Sequence, residues 1–197
     1  MPHAICGAAD FSRMAQLGSA REYGMRIMGI DPGLANTGYG IIDSVGQKSR
    51  LVTAGDVVTR AEDPLPQRLQ TIHDRLAAVI REWSPEVVAV ETLFFCTNVR
   101  TAIAVAQARG VALLATASSG IPVAEYSPLE IKLAIAGSGK ATKEQMQKMV
   151  RAILALAELP KTSHTADALA VALCHAHSQH FRNLVTKSLG RKVSKQR

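Results

Sequence analysis

The sequence has no unbroken apolar run approaching the roughly 20 residues that span a bilayer. Its mean hydropathy is close to zero, which argues against a membrane protein. The N-terminus lacks a basic segment followed by an apolar one, so no secretory signal is expected there. Cysteine is scarce: Cys6, Cys96 and Cys174 stand far apart, with no Cys-x-x-Cys spacing. An odd, scattered set suits a reducing cytoplasm better than a disulfide framework or a zinc site. No internal repeat is present. Acids are missing from the last stretch, where residues 182–197 hold Arg182, Lys187, Arg191, Lys192, Lys195 and Arg197. That stretch reads either as a loose contact for phosphates or as a solubilising end. Residues 1–24 balance Arg13 and Arg21 against Asp10 and Glu22, so of the formal +7 only +1 is left for residues 25–181. A core that binds nucleic acid must therefore cluster its positive charge.

At 197 residues with 47% hydrophobic content, the chain fits one domain with a real core. Residues 1–24 show no clean periodicity and read as a disordered extension, with folding expected from Met25. "RIMGI", "TGYGIID" and "RLVTAGDVVT" read as three strands whose short connections favour an antiparallel meander. From Leu65 the period becomes helical, through Leu69, Ile72, Leu76, Val79, Ile80 and Trp83, and Pro85 closes that segment. "EVVAVE" is a near-continuous apolar run, the pattern of a strand covered on both faces. An Ala-rich helix, about 98–118, follows it, and "IPVAEY" reads as a fifth strand. Helical stretches over 127–136, 142–157 and 163 to about 177 complete the domain, with Thr142 and Gln145 in capping-box spacing. The expected fold is α/β, a five-stranded mixed sheet with helices on both faces, over residues 25–178. Residues 179–197 are expected as a basic flexible tail.

Two acids stand where apolar strands end: Asp31 after "RIMGI" and Glu91 after "EVVAV". An unpaired buried carboxylate costs several kcal/mol, so such groups are normally paired or metal-bound. Alone, each reads as a turn or capping residue. Neighbouring strands lie about 4.8 Å apart, however, so two such carboxylates could share one divalent cation. In "SHTADALAVALCHAH", His164 and Asp167 are three residues apart and fall on one helix face. Asp167 by itself simply suits a helix N-terminus. With Asp31 and Glu91 it suggests three carboxylates and one imidazole, and hard oxygen ligands select Mg²⁺ or Mn²⁺ over zinc.

Three further features invite chemistry. His175, His177 and His180 have irregular spacing and read as exposed or fraying rather than as metal ligands. "AGSGKAT" approaches a phosphate-binding loop, but Ala134 replaces its first Gly, Ala141 replaces its Ser or Thr, and no strand precedes it. The nucleotide-loop reading is rejected; a glycine hinge that turns Lys140 and Lys143 toward phosphates is retained. Phe94 and Phe95 follow Glu91 in a chain with only 4% aromatics. One suits the core, and the other could stack on an unpaired base, a contact worth about 1–3 kcal/mol.

With these residues in hand, the chain resembles the RuvC family of crossover junction endodeoxyribonucleases. "GIDPGLANTGYG", "VAVETLFF", "NVRTAIAVAQARGVAL", "GSGKATKEQMQKMV" and "TADALAVALCHAH" carry the resemblance, in order, from Met25 to about His177. It implies an RNase H-like fold, a homodimer, and Mg²⁺-dependent nicking of two opposed strands of a four-way DNA junction, in recombination and repair. It also implies work beside the RuvA and RuvB branch-migration proteins, in the cytoplasm and without a membrane. The family's acidic cluster corresponds to Asp31, Glu91 and Asp167, with His164 at a position that is acidic in many members. Two ions about 3.5–4 Å apart would activate a water and stabilise the leaving 3′ oxygen. Asp31 would bridge them, Glu91 would hold one, and His164 and Asp167 the other. Imidazole at 164 suits Mn²⁺ as a substitute for Mg²⁺. The junction-wedging aromatic would be Phe94, and the phosphate-contacting lysines Lys132 and Lys143. The small-residue face at Ala102, Ala106 and Gly110 is a candidate dimer contact. The rival readings are another RNase H-like nuclease acting on structured nucleic acid, and a junction-binding protein without hydrolysis.

Overall fold

In the computed structural model the described residues are 24–92 and 99–194, the side chains at 99–100 and 182–194 excepted. The extension up to Tyr23 and the pair Phe94–Phe95 lie outside them. Three strands come first: β1 (Met25–Asp31), β2 (Asn36–Val45) and β3 (Lys48–Val58). They form the expected antiparallel meander, and the β2–β3 turn uses Gly46 at φ 61°. Then follow α1 (Leu65–Trp83), β4 (Val87–Glu91), α2 (Val99–Ser118) and β5 (Val123–Tyr126). The chain ends in α3 (Pro128–Ala136), α4 (Lys143–Ile153) and α5 (Ser163–Ser194). The sheet order is β3-β2-β1-β4-β5, with β4 parallel to both β1 and β5.

Period-2 alternation in β1 divides the core. Met28 and Ile30 point to one face, where Ile72, Leu76 and Ile80 of α1 and Ala108, Ala112 and Ala115 of α2 cover them. The alanines bring those two helices close together. Ile27 points to the other face, with Leu169 and Leu173 of α5 and Val150 of α4. Helices cover both faces, as the sequence implies. At the far end of β1, Arg26 holds its register partner Asp43 through two bonds of 2.7 and 3.0 Å. Burial opposes ionisation of Asp43, but the guanidinium outweighs it and keeps the carboxyl below its ordinary range.

Helix α5 lies directly on the sheet because two strand positions carry no side chain. A Cβ on Gly29 would overlap the Ala168 carbonyl oxygen and sit 2.7 Å from the Ala172 nitrogen. A Cβ on Gly38 would overlap the His164 carbonyl oxygen. Glycine at these sites is a matter of close approach rather than of turning.

Five boundaries or placements differ from the sequence reading. Helix α4 stops at Ile153, because Ala155 turns to φ 50° and Arg151 bonds the Leu156 and Ala157 carbonyls. Helix α5 continues to Ser194, so residues 179–194 are helical rather than a flexible tail; no proline interrupts them. His175 is buried, not exposed: its Nδ1 meets the Tyr126 hydroxyl at 2.8 Å. His177 is half-buried, with Nδ1 3.1 Å from the Ala134 carbonyl. Finally, residues 101–118 of α2 are long and apolar enough, by length and composition alone, to cross a membrane. A search for unbroken apolar runs passes over them because Gln107 and Arg109 interrupt the sequence. Arg109 is bonded to Glu125 of β5, which ties this helix to the sheet.

Replacing Gly29 with Ala must push α5 off β1, since both overlapping partners are backbone atoms. Gly29→Ala is expected to lower stability by about 3 kcal/mol or more, read as the shift in a urea unfolding midpoint.

Candidate active site

The strand ends set the site. β1 and β4 are parallel neighbours with Ile30 opposite Val90, so the next residues on each strand, Asp31 and Glu91, stand side by side at the carboxyl edge of the sheet. Helix α5 enters over the same edge. Its first turns bring His164 to Asp31, with Nδ1 2.8 Å from Oδ2. They also bring Asp167 to Lys143, whose Nζ is 3.0 Å from Oδ2. Lys143 is the first residue of α4, which Thr142 and Gln145 start with a reciprocal capping box as the sequence implies. A cleft of about 200 Å³ opens between Glu91 and Asp167, lined also by Lys132, Lys143, Met146 and Ala170 among others.

Burial dominates the electrostatics, and like charge at close quarters adds to it. Glu91 is raised to about 7, first by burial and then by the charges of Asp31 and Asp167. Lys143 and Lys132 pull it back only in part. Asp31 is also raised, by burial and by Asp167, against the hydrogen bond from His164. The protein thus holds oxygen donors in a place that resists their ionisation.

The structure brings together Asp31, Glu91, His164 and Asp167, and adds Lys132 and Lys143 at the rim. Lys140 does not join them; it is exposed in the turn between α3 and α4 and does not line the cleft. Phe94 lies outside the described residues. The bond of Lys143 to Asp167 was not read from the sequence, which assigns that lysine to phosphate only. Capping-box spacing at Thr142 was the available signal, because it places Lys143 at the start of a helix, but not over α5.

Among the described residues no group of three or more His, Cys, Asp or Glu side chains closes into a ready ligand set. The reason is visible: His164 is turned to Asp31 and Asp167 to Lys143. The donor chemistry nonetheless fits a hard divalent cation, since His164 is bonded to Asp31, Glu91 follows the neighbouring position on β4, and the charges of Asp31 and Asp167 help to raise Glu91.

Three antiparallel strands continued by two parallel ones, with acids at the ends of β1 and β4 and on a helix crossing the sheet, define an RNase H-like nuclease domain. The model of the family described as crossover junction endodeoxyribonuclease RuvC matches residues 27–175. A relative of that name from Desulfitobacterium hafniense is 52% identical over 159 residues, which are 81% of this chain and 96% of the relative. Another, from Syntrophomonas wolfei, is 48% identical and covers 83% of this chain and 95% of its own. Thermus thermophilus RuvC, solved in complex with a Holliday junction substrate, is 41% identical with a TM-score of 0.77. That likeness covers 80% of this chain and 96% of the other. The yeast mitochondrial Holliday junction resolvase Ydc2 shares the fold, at 15% identity and a TM-score of 0.59 over 92% of each chain. The chain belongs to the RuvC family of crossover junction endodeoxyribonucleases.

The raised Glu91 fixes a sign. Its folded pKa, about 7, lies above its ordinary value of 4.5, so its contribution is most favourable below pH 4.5 and is lost as pH rises through 7. In chelator, Glu91→Gln is expected to stabilise the protein at pH 8 by on the order of 2 kcal/mol and to have no such effect at pH 4. Thermal unfolding at the two pH values measures both.

Proposed function

We propose that this chain resolves Holliday junctions, nicking two opposed strands with divalent cations held by Asp31, Glu91, His164 and Asp167. The observation that carries the reading is the gathering of three carboxylates from β1, β4 and α5 beside a lysine-lined cleft, in a member of this family. Asp31 stands between Glu91 and the α5 pair, which suits it to be the shared ligand. Glu91 serves one side of it, and His164 and Asp167 the other. Bound Mg²⁺, or Mn²⁺ as a substitute, supplies Lewis-acid polarisation of the phosphodiester and a water of lowered pKa. The nucleophile is that water, and no covalent enzyme intermediate is needed. Lys132 and Lys143 flank the acids and draw the DNA backbone to them, and Lys140, exposed in the turn before α4, is free to meet phosphates outside the cleft. Phe94, three residues beyond Glu91 in the sequence, is assigned to the junction centre from the family resemblance alone. So is work beside RuvA and RuvB.

A homodimer supplies two such sites for two strands. Its support is the outer face of α2, where Ile103 and Leu114 are 54% and 57% exposed three turns apart and Gly110 between them faces open space. Large apolar side chains in line on one helix are what a partner covers. A cytoplasmic setting suits the thiols: Cys174 is buried and pushed up to about 12, so it is inert rather than bridging.

Asp167→Asn is expected to reduce cleavage of a four-way junction by about 100-fold or more while junction affinity in chelator stays within about twofold. Wild-type cutting by that variant, or equal cutting of plain duplex by the parent, overturns the reading. His164→Asp is expected to retain cleavage and to move the preference from Mn²⁺ toward Mg²⁺ in metal titrations. Leu114→Glu is expected to shift the protein from dimer to monomer in sedimentation and to uncouple the two nicks on a supercoiled cruciform.

A further inference from the structure

One line of residues crosses three strands beneath the start of α5. Asp31 of β1 is the register partner of Gly38 in β2, and Gly38 is the register partner of Asp56 in β3. Residues directly paired across antiparallel strands direct their side chains to the same face. The two carboxylates therefore stand on one side of the sheet about two strand spacings apart, roughly 9–10 Å. Between them, Gly38 leaves the room into which the His164 backbone settles.

The first turn of α5 is held at both ends of this line. At one end His164 meets Asp31 at 2.8 Å. At the other, the Thr162 hydroxyl donates to Asp56 Oδ2 at 2.6 Å and the Thr165 hydroxyl donates to Asp56 Oδ1 at 2.9 Å. The Thr165 amide donates in turn to the Thr162 hydroxyl oxygen at 3.1 Å, the bond of a helix N-cap. The Thr162 hydroxyl also lies 3.0 Å from the Thr165 hydroxyl oxygen, and both oxygens of Asp56 are used. Thr165 is buried and Asp56 half-buried, so the bond between them is partly shielded from water, while that of Thr162 is exposed.

We propose that Asp56 is a positioning residue for cleavage: it clamps the first turn of α5 to β3 and so fixes where His164 and Asp167 stand relative to Asp31. The inference rests on the reading of those three residues as the cation-holding set. Asp56 is bonded to two threonines at the start of α5 and lies outside the set proposed to hold the cations. It acts through Thr162 and Thr165, which flank His164 on both sides. A helix held only by Gly29 and Gly38 is seated in depth but is free to slide or roll about its axis. Two hydrogen bonds from one carboxylate, placed off to the side of that axis, remove the roll. Misplacing reacting groups by about 1 Å costs on the order of 100-fold in rate, so a clamp remote from the chemistry can set it.

The test uses the full-length protein and a four-way junction with Mg²⁺. Asp56→Ala is expected to lower the single-turnover cleavage rate at saturating enzyme by about tenfold or more. Junction affinity in chelator should stay within about twofold, and the Thr165 amide should exchange faster with solvent. Asp56→Asn keeps an oxygen for one threonine and an amide that can donate to the other, and is expected to recover most of the rate. Thr165→Val and Thr165→Ser make a second pair in case Asp56→Ala folds poorly: valine loses the bond at the same shape and should cut slowly, while serine keeps it and should cut near the parent rate. Normal cleavage by both Asp56→Ala and Thr165→Val, with Asp167→Asn inactive, overturns the role of Asp56 and leaves the site reading standing. Wild-type cutting by Asp167→Asn overturns the site reading, and this inference with it. A loss of rate matched by an equal loss of junction affinity also overturns it, because a positioning residue acts on the rate.

Discussion

Everything at the site depends on how closely α5 lies against the sheet. Backbone meets backbone at Gly29 and Gly38, where even one methyl group would overlap a carbonyl oxygen of the helix. That contact places the start of α5 directly over the carboxyl end of β1. It also buries Leu169, Val171 and Leu173 against the strands, which gives the approach its apolar driving force. A helix standing one side chain further out would carry Asp167 away from Asp31 and Glu91, and no local adjustment of rotamers would recover the distance.

The same closeness creates an electrostatic conflict. Burial raises the resistance of Asp31 and Glu91 to ionisation, and the charge of Asp167 on both, with that of Asp31 on Glu91, raises it further. The surrounding fold tolerates this because each end is balanced by a cationic or hydrogen-bonding partner, Lys143 on Asp167 and the His164 ring on Asp31. Contrast Asp43 at the opposite end of β1, where a two-bonded arginine holds the carboxyl below its ordinary range. The β1–β2 pair thus carries a settled acid at one end, Asp43 of β2, and an unsettled one at the other, Asp31 of β1. The unsettled end is where a divalent cation gains most, since it relieves a repulsion that the protein maintains at a cost in stability.

Legibility in the sequence followed the range of the interactions. Asp31 and Glu91 stood out because each interrupts an apolar run, a signal contained within six residues. Thr142 with Gln145 marked the start of α4 for the same reason. The Asp56 clamp left no such trace, since Thr165 and Asp56 are 109 residues apart and neither threonine nor aspartate is unusual near a strand or helix end. The burial of His175 was misread because its partner Tyr126 is 49 residues away, on a strand whose place in the sheet the local pattern does not give. Lys143 was assigned to phosphate alone because nothing local shows that α4 begins against α5.

Local chemistry, written in the order of residue types, determined the strands, the helices, the family and the four candidate ligands. Apolar periodicity and capping act within a turn or a strand, so they can be read from neighbours in the chain. Tertiary structure alone decided that β1 lies between β2 and β4, that two glycines admit α5 to the sheet, and that Asp31, Gly38 and Asp56 form one line beneath it. Those facts depend on strand register and on helix depth. Both arise from packing the whole core at once, and a one-residue slip in register would turn every one of these side chains to the other face.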